Sequence, residues 1–155
     1  MLGTLALAVI VEERTGRRFH QYVQENIFDP LGMDRARVGP EGVEGAIEDL
    51  GRLAAALAGD PVAPGVILSD EATRIMFADQ LRFDGLPWPQ GIEWRRDQWR
   101  GEFCVVRRGN AGGRGLYLRI CPGAEAWVAT LGKRPGRTLG RWSDDVLESE
   151  LTKAP

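Results

Sequence analysis

At 155 residues, with 43% apolar and 27% charged residues, the chain has the composition of a single globular domain able to bury a sizeable core. A formal charge of −2 gives no overall field towards nucleic acid or an anionic membrane. Of the 20 basic residues all but Lys133 and Lys153 are arginine, which reads first as a codon-usage bias.

The chain opens on a helical run, Leu2 to Glu13, apolar nearly all round between Leu5 and Val11. That pattern predicts a buried helix. The run is too short to span a bilayer, lacks a basic flank and a small-residue cleavage site, and meets Glu12-Glu13 at once. As given, the sequence shows no signal peptide and reads as cytoplasmic, with the localisation itself left open.

Thr15-Gly16 breaks the run, and a second helix is expected from Arg18 to Phe28. Phe19, Tyr22, Val23, Asn26 and Ile27 recur at helical spacing and share one face. Pro30 ends it, pushing Asp29 out of the helical region, and Leu31 and Met33 supply apolar plugs around Gly32. Residues 34–42 read as loop. Val43 to Ala58 reads as a helix, with Gly59 where a terminating glycine belongs. A Pro-rich loop follows, then a short helix from Ser69 or Asp70 to about Ala78, with Ile75, Met76 and Leu81 as core.

After Leu81 the period shifts towards two. Strands are expected over Gly91–Arg96, Glu102–Arg107, Leu116–Cys121 and Ala126–Leu131, with Pro122-Gly123 joining the last two. A final helix is expected over Trp142–Leu151, capped by Ser143 or Asp144. Helices followed by an antiparallel meander and a C-terminal helix make the fold class α+β. One domain is expected, 1–155, helical over 1–81 and sheet plus helix over 82–155.

The chemistry-bearing residues are few. The serines are Ser69, Ser143 and Ser149; none lies in G-x-S-x-G, and none has Lys three residues on. His20, the single histidine, falls on a polar helix face. No nucleophile–base–orienter set can be assembled from these. Adjacent acids such as Glu48/Asp49 and Asp144/Asp145 point in different directions along a helix and cannot share a site. Cys104 and Cys121 read as two buried or half-buried free thiols on neighbouring strands. No C-x-x-C or His/Cys cluster exists, which excludes a structural zinc site. The glycine-rich stretch Arg108-Gly109-Asn110-Ala111-Gly112-Gly113-Arg114-Gly115 fits neither phosphate-binding fingerprint and reads as a hairpin connection. Arginines interleaved with Trp94, Trp99 and Tyr117 could stack on nucleic acid, but the acids Glu93, Asp97 and Glu102 dilute the patch. Solvated strand faces are the better reading.

Several phrases, in order, resemble the C-terminal part of the serine β-lactamase-like hydrolases, the group of class C β-lactamases, D,D-peptidases and esterases. Ile10 to Arg17 resembles the helix end and Thr-Gly break after the family's second motif. Asn26-Ile27-Phe28-Asp29-Pro30-Leu31-Gly32-Met33 is similar to its most recognisable non-catalytic phrase. Glu48 to Leu53 resembles the helix that follows, and Gly91-Ile92-Glu93-Trp94 its Gly-x-Gly-Trp strand.

The resemblance implies a partial β-lactamase/transpeptidase-like fold and an ancestral acyl transfer from amide or ester to serine. The family's Ser-x-x-Lys is absent here, and its Tyr-x-Asn would fall just upstream of Met1. An N-terminally truncated domain, inactive alone, is therefore expected. The family's Lys-Thr-Gly or His-x-Gly aligns with Gly109 to Gly112 and places Asn110 at the His or Lys position. Asn110, Gly112 and Gly113 are the expected substrate-binding residues; no catalytic residue, metal or cofactor is expected. Expected partners are a small amide or ester ligand and further copies of the chain meeting through an uncovered sheet, without nucleic acid or membrane. A non-catalytic ligand-binding or regulatory module on the same scaffold, with Trp88, Trp94 and Trp99 as rim aromatics, is the rival reading.

Overall fold

The computed structural model describes residues 2–39, 42–61, 63, 65–78, 94–111 and 113–151. Helix α1 (Leu2–Thr15) leads into α2 (Phe19–Val23) and a π-helical turn (Gln24–Phe28). The corner between them is fastened by side chains. Thr15 Oγ1 donates to the Val11 carbonyl at 2.7 Å, and Glu12 Oε1 accepts from the Phe19 amide at 2.8 Å. The buried reading of α1 fails: Leu7, Val9 and Ile10 are more than half exposed. Among the described elements α1 packs mainly on α2, which cannot cover a helix apolar on all sides.

The π-helical turn corrects the predicted face. Its hydrogen bonds span five residues instead of four and so insert an extra position after Val23; Phe28 joins Val23 in the core while Asn26 is exposed. Phe28, Leu31, Met33 and Ala36 then make one apolar cluster with Val23. The Met33 amide donates to the Phe28 carbonyl at 2.8 Å, closing the turn around Pro30.

Residues expected to be loop form a small hairpin, β1 (Arg37–Gly39) with β2 (Gly42–Glu44). Helix α3 spans Ile47–Ala58, four residues shorter at its start than expected, because Val43 is taken by β2 and is exposed. Asp49, 2% exposed, reaches back to the Ala46 amide at 3.1 Å and starts the helix. Gly59, at φ 77°, ends it in the left-handed region. Helix α4 (Asp70–Phe77) is capped by Ser69, whose Oγ accepts from the Ala72 amide at 3.2 Å. Met76 packs on the core, but Ile75 is exposed; Leu81 lies outside the described residues.

The four strands are β3 (Arg95–Trp99), β4 (Glu102–Ala111), β5 (Arg114–Cys121) and β6 (Ala126–Gly132), an antiparallel meander in sequence order. Of the strand expected at Gly91–Arg96, the first three residues lie outside the described ones, as does the expected boundary at 81/82. A 3₁₀ turn over Pro122–Ala124 joins β5 to β6. Helix α5 (Gly136–Leu151) starts six residues before Trp142, so neither Ser143 nor Asp144 is its cap.

The sheet has helices on both faces. α3 covers one, packing Ala54, Leu57 and Ala58 on Val105, Leu118 and Ile120 with Trp127 and Ala129 at the margin. α5 covers the other, where Leu139 meets Val106, Tyr117 and Val128. Strand alternation assigns the residues: Leu118 and Ile120 to one side, Tyr117, Arg119 and Cys121 to the other. No helix of the described residues is long and apolar enough to cross a membrane.

Candidate functional site

Two phrases of the resemblance meet in space. Arg52, on α3, donates to the Gly32 carbonyl in the Asp29–Met33 turn and pairs with Asp49 at 3.6 Å. Gly51 lets the indole of Trp127, on β6, approach the helix closely; a Cβ there would come within 3.1 Å of the ring. These residues position elements and carry no chemistry.

The glycine-rich stretch is a tight hairpin. Strands β4 and β5 stay paired to Ala111 opposite Arg114, and Gly113 takes φ 73° in the turn. Asn110, opposite Gly115, turns its side chain to α5: Oδ1 accepts from the Gly136 amide at 3.0 Å. That bond satisfies one of the amides a helix start leaves unpaired. Gly115 is buried under the backbone of Arg134, Pro135 and Gly136, so the helix start sits directly on the hairpin. Asn110 is exposed and its carboxamide nitrogen has no hydrogen-bond partner among the described residues. Gly112 lies outside the described residues. Of the three expected binding residues, the structure thus brings Asn110 and Gly113 to one hairpin end, with Asn110 also bound to α5.

The polar cluster that sequence reasoning missed lies under α5. Arg119, 6% exposed, spans two carboxylates, with Nη2 at 3.1 Å from Asp97 Oδ2 and 3.3 Å from Asp144 Oδ2. Its Nε donates to the Tyr117 hydroxyl at 3.0 Å, and that hydroxyl donates to Asp144 Oδ1 at 2.8 Å. Burial pushes the Tyr117 phenol up to about 12, against the pull of the Arg119 charge. A phenol so held is a hydrogen-bond donor at neutral pH and no base. Beside it Arg95 also pairs with Asp97, at 3.0 Å. The reading of this strand face as solvated is overturned: α5 covers Tyr117 and Arg119, and Trp99 is buried beside Cys104 and Cys121. The signal available was that the arginine shares its face with Tyr117 and Cys121, two side chains at home in an interior. Trp94, expected at a ligand rim, instead packs edge-on to Phe77 at 5.4 Å; Trp88 lies outside the described residues.

The cysteines are also corrected. Cys104 and Cys121 stand opposite each other on β4 and β5, Cα atoms 4.2 Å apart, and form a buried disulfide packed with Trp99 and Leu147. The two cysteines do lie on neighbouring strands, but they stand directly opposite, which brings the sulfurs within bonding reach. At the β3–β4 turn Arg100 holds Glu148 of α5 at 2.7 Å, and that hydrogen bond lowers the Glu148 carboxyl below its ordinary value.

Each serine hydroxyl is bound locally. Ser69 caps α4; Ser143 is buried between the Leu139 carbonyl, 2.8 Å away, and Thr130 Oγ1, 2.5 Å away; Ser149 donates to the Val146 carbonyl at 2.9 Å. His20 is exposed on α2. Among the described residues no group of His, Cys, Asp or Glu could hold a metal ion.

No protein-family model matches the sequence, and no curated protein sequence does. The fold is similar to the crystal structure of a penicillin binding protein from Bacillus halodurans, with a TM-score of 0.64 at 15% identity. The match covers 94% of this chain and 52% of that one, so the chain spans about half the length of that protein. The fold is therefore α+β and a partial penicillin-binding-protein-like one.

Proposed function

We propose that this chain is the C-terminal part of a serine β-lactamase-like hydrolase, a single unit over 1–155 that cannot perform acyl transfer by itself. The observation that carries the reading is the state of its serines. Ser69, Ser143 and Ser149 each spend their hydroxyl on a local partner, and the single histidine stands exposed on α2. Serine attack needs a base within hydrogen-bond reach of the nucleophile, and the sequence holds no Ser-x-x-Lys to supply one. The purified chain should therefore resist labelling by a fluorophosphonate and turn over neither a chromogenic cephalosporin nor a short-chain ester. Stoichiometric acylation of any of the three serines would sink the reading.

The ligand position that goes with it is the hairpin end at Asn110, Gly112 and Gly113, for a small amide or ester. Support comes from the Asn110 carboxamide: its oxygen is engaged by α5 while its nitrogen keeps two donors for a carbonyl or carboxylate. Asn110→Asp separates the two roles, since it keeps the acceptor for Gly136 and removes the donors. In a thermal-shift screen of small amides and esters, a hit that Asn110→Asp abolishes without lowering the unliganded Tm would support the site. A hit indifferent to that substitution would move the site elsewhere. The same observation favours the rival reading of a non-catalytic binding module, which predicts the same ligand response without any acyl-enzyme.

A further inference from the structure

The charge of the chain is unevenly placed, which a net value of −2 hides. Between Glu102 and Asp144 the sequence holds one acid, Glu125, just before β6. Besides Arg107 and the buried Arg119, the same stretch holds Arg108, Arg114, Lys133, Arg134, Arg137 and Arg141. The fold gathers these six at the end of the sheet away from Glu125. Arg108 and Arg114 flank the β4–β5 turn, and Lys133 and Arg134 follow β6, whose Gly132 stands opposite Gly115. The backbone of Arg134 lies on Gly115, and a Cβ on Gly136 would sit 3.5 Å from the Cβ of Arg108. Arg137 and Arg141, four residues apart near the start of α5, share one side of that helix.

All six side chains are exposed, and among the described residues none forms an ion pair. Arginines elsewhere are matched, as Arg17 is to Glu25, Arg37 to Glu44 and Arg100 to Glu148. Along α5 the first acid, Asp144, is held by Arg119 and Tyr117, and Asp145 follows it. Like charges gathered this way repel one another until an anionic partner approaches. Unmatched cations are also costly to bury, so this end is unsuited to being covered by apolar chain, in contrast to the exposed Leu7, Val9 and Ile10 of α1. Next to Arg141 stands Trp142, 60% exposed. An indole, with an apolar ring and one polar N–H, is at home where water meets apolar matter.

We propose that this cationic end docks on an anionic lipid surface, with its guanidinium groups among the lipid phosphates and the Trp142 ring at headgroup level. A nucleic-acid strand would ask for a groove that tracks its backbone. Here the cations stand on three separate segments around a protruding turn and helix start, where Gly113, Lys133 and Pro135 are all exposed, and one plane can reach them. The contact is peripheral, since no helix of the described residues is long and apolar enough to cross a membrane. It does not rest on Asn110, whose oxygen is bound to α5.

The test uses the full chain and vesicles of phosphatidylglycerol and phosphatidylcholine in equal parts. The protein should sediment with these and not with phosphatidylcholine alone, and less as salt is raised. Tryptophan emission should shift to the blue on binding, and Trp142→Phe should remove that shift. The double variant Arg137→Glu, Arg141→Glu should bind about tenfold more weakly or worse. Both positions are exposed and an acid near a helix start is favourable, so its circular dichroism and Tm should be unchanged. Arg37→Glu, at a cation already matched, should bind as the parent does. The proposal is overturned if anionic vesicles sediment no protein, if the double variant binds as well as the parent, or if Trp142→Phe keeps the shift. Release of the protein by glycerol phosphate at equal phosphate would overturn it in favour of a soluble phosphate ester. Tighter binding to a mixed-sequence single-stranded oligonucleotide, at equal phosphate and salt, would overturn it in favour of nucleic acid.

Discussion

The two faces of the sheet are held by different physics. Towards α3, Val105, Leu118 and Ile120 meet alanines and leucines, and the attraction is non-directional burial of apolar area. Towards α5, the same strands present Tyr117, Arg119, Thr130 and the Cys104–Cys121 disulfide, and the contacts are directional. Apolar packing tolerates small slides of a helix. The Tyr117–Arg119–Asp144 bonds do not, since each fails within about half an ångström or tens of degrees. The first face is held by burial, and the bonds of the second fix where α5 lies.

Ile120→Ala would break the first face most. Its side chain is fully buried among α3 residues, and the cavity should cost about 4 kcal/mol in urea unfolding. Arg119→Ala comes next, at about 3 kcal/mol, because it leaves Asp144 beside the buried phenol without its cation and takes from Asp97 one of its two. Arg119→Met should recover part of that loss if packing matters there as it does on the α3 side; no recovery would mark the face as purely polar. Tyr117→Phe is the mildest, at about 1 kcal/mol, since it removes one donor and one acceptor.

The same tyrosine gives the comparison a pH signature. Its folded value, about 12, lies above the ordinary value of 10, so the folded chain keeps a proton that the unfolded chain releases. The contribution is fully present below pH 10 and is lost as pH climbs towards 12. Tyr117→Phe should flatten that alkaline loss, whereas Ile120→Ala should shift the whole profile without changing its shape. An unchanged alkaline slope in Tyr117→Phe would remove Tyr117 as its source.

The apolar face was legible in the sequence and the polar one was not. Alternation in Leu116, Leu118 and Ile120 marks a strand with an inward side, and the period around Leu50 to Leu57 marks the helix that covers it. The start of α5 was hidden by Gly136 and Gly140, which look like helix breakers. They are close-approach positions: a Cβ on Gly140 would lie 2.7 Å from the Tyr117 ring. Without that helix start, Tyr117 and Arg119 read as solvent-facing. The π-helical turn was equally silent, because one inserted residue changes a face without changing composition. Of the hairpin end, the glycines and Asn110 were visible, but not the bond that ties Asn110 to α5, which joins residues 26 apart in sequence.

The disulfide also acts as a test of folding accuracy. Cys104 and Cys121 face one another only in the native β4–β5 register; a slip of one residue turns one thiol to the opposite side of the sheet. Under oxidising conditions, hairpins that have paired wrongly cannot close the bond, while those that have paired rightly are kept. The covalent link thus selects for the strand pairing on which both helices pack.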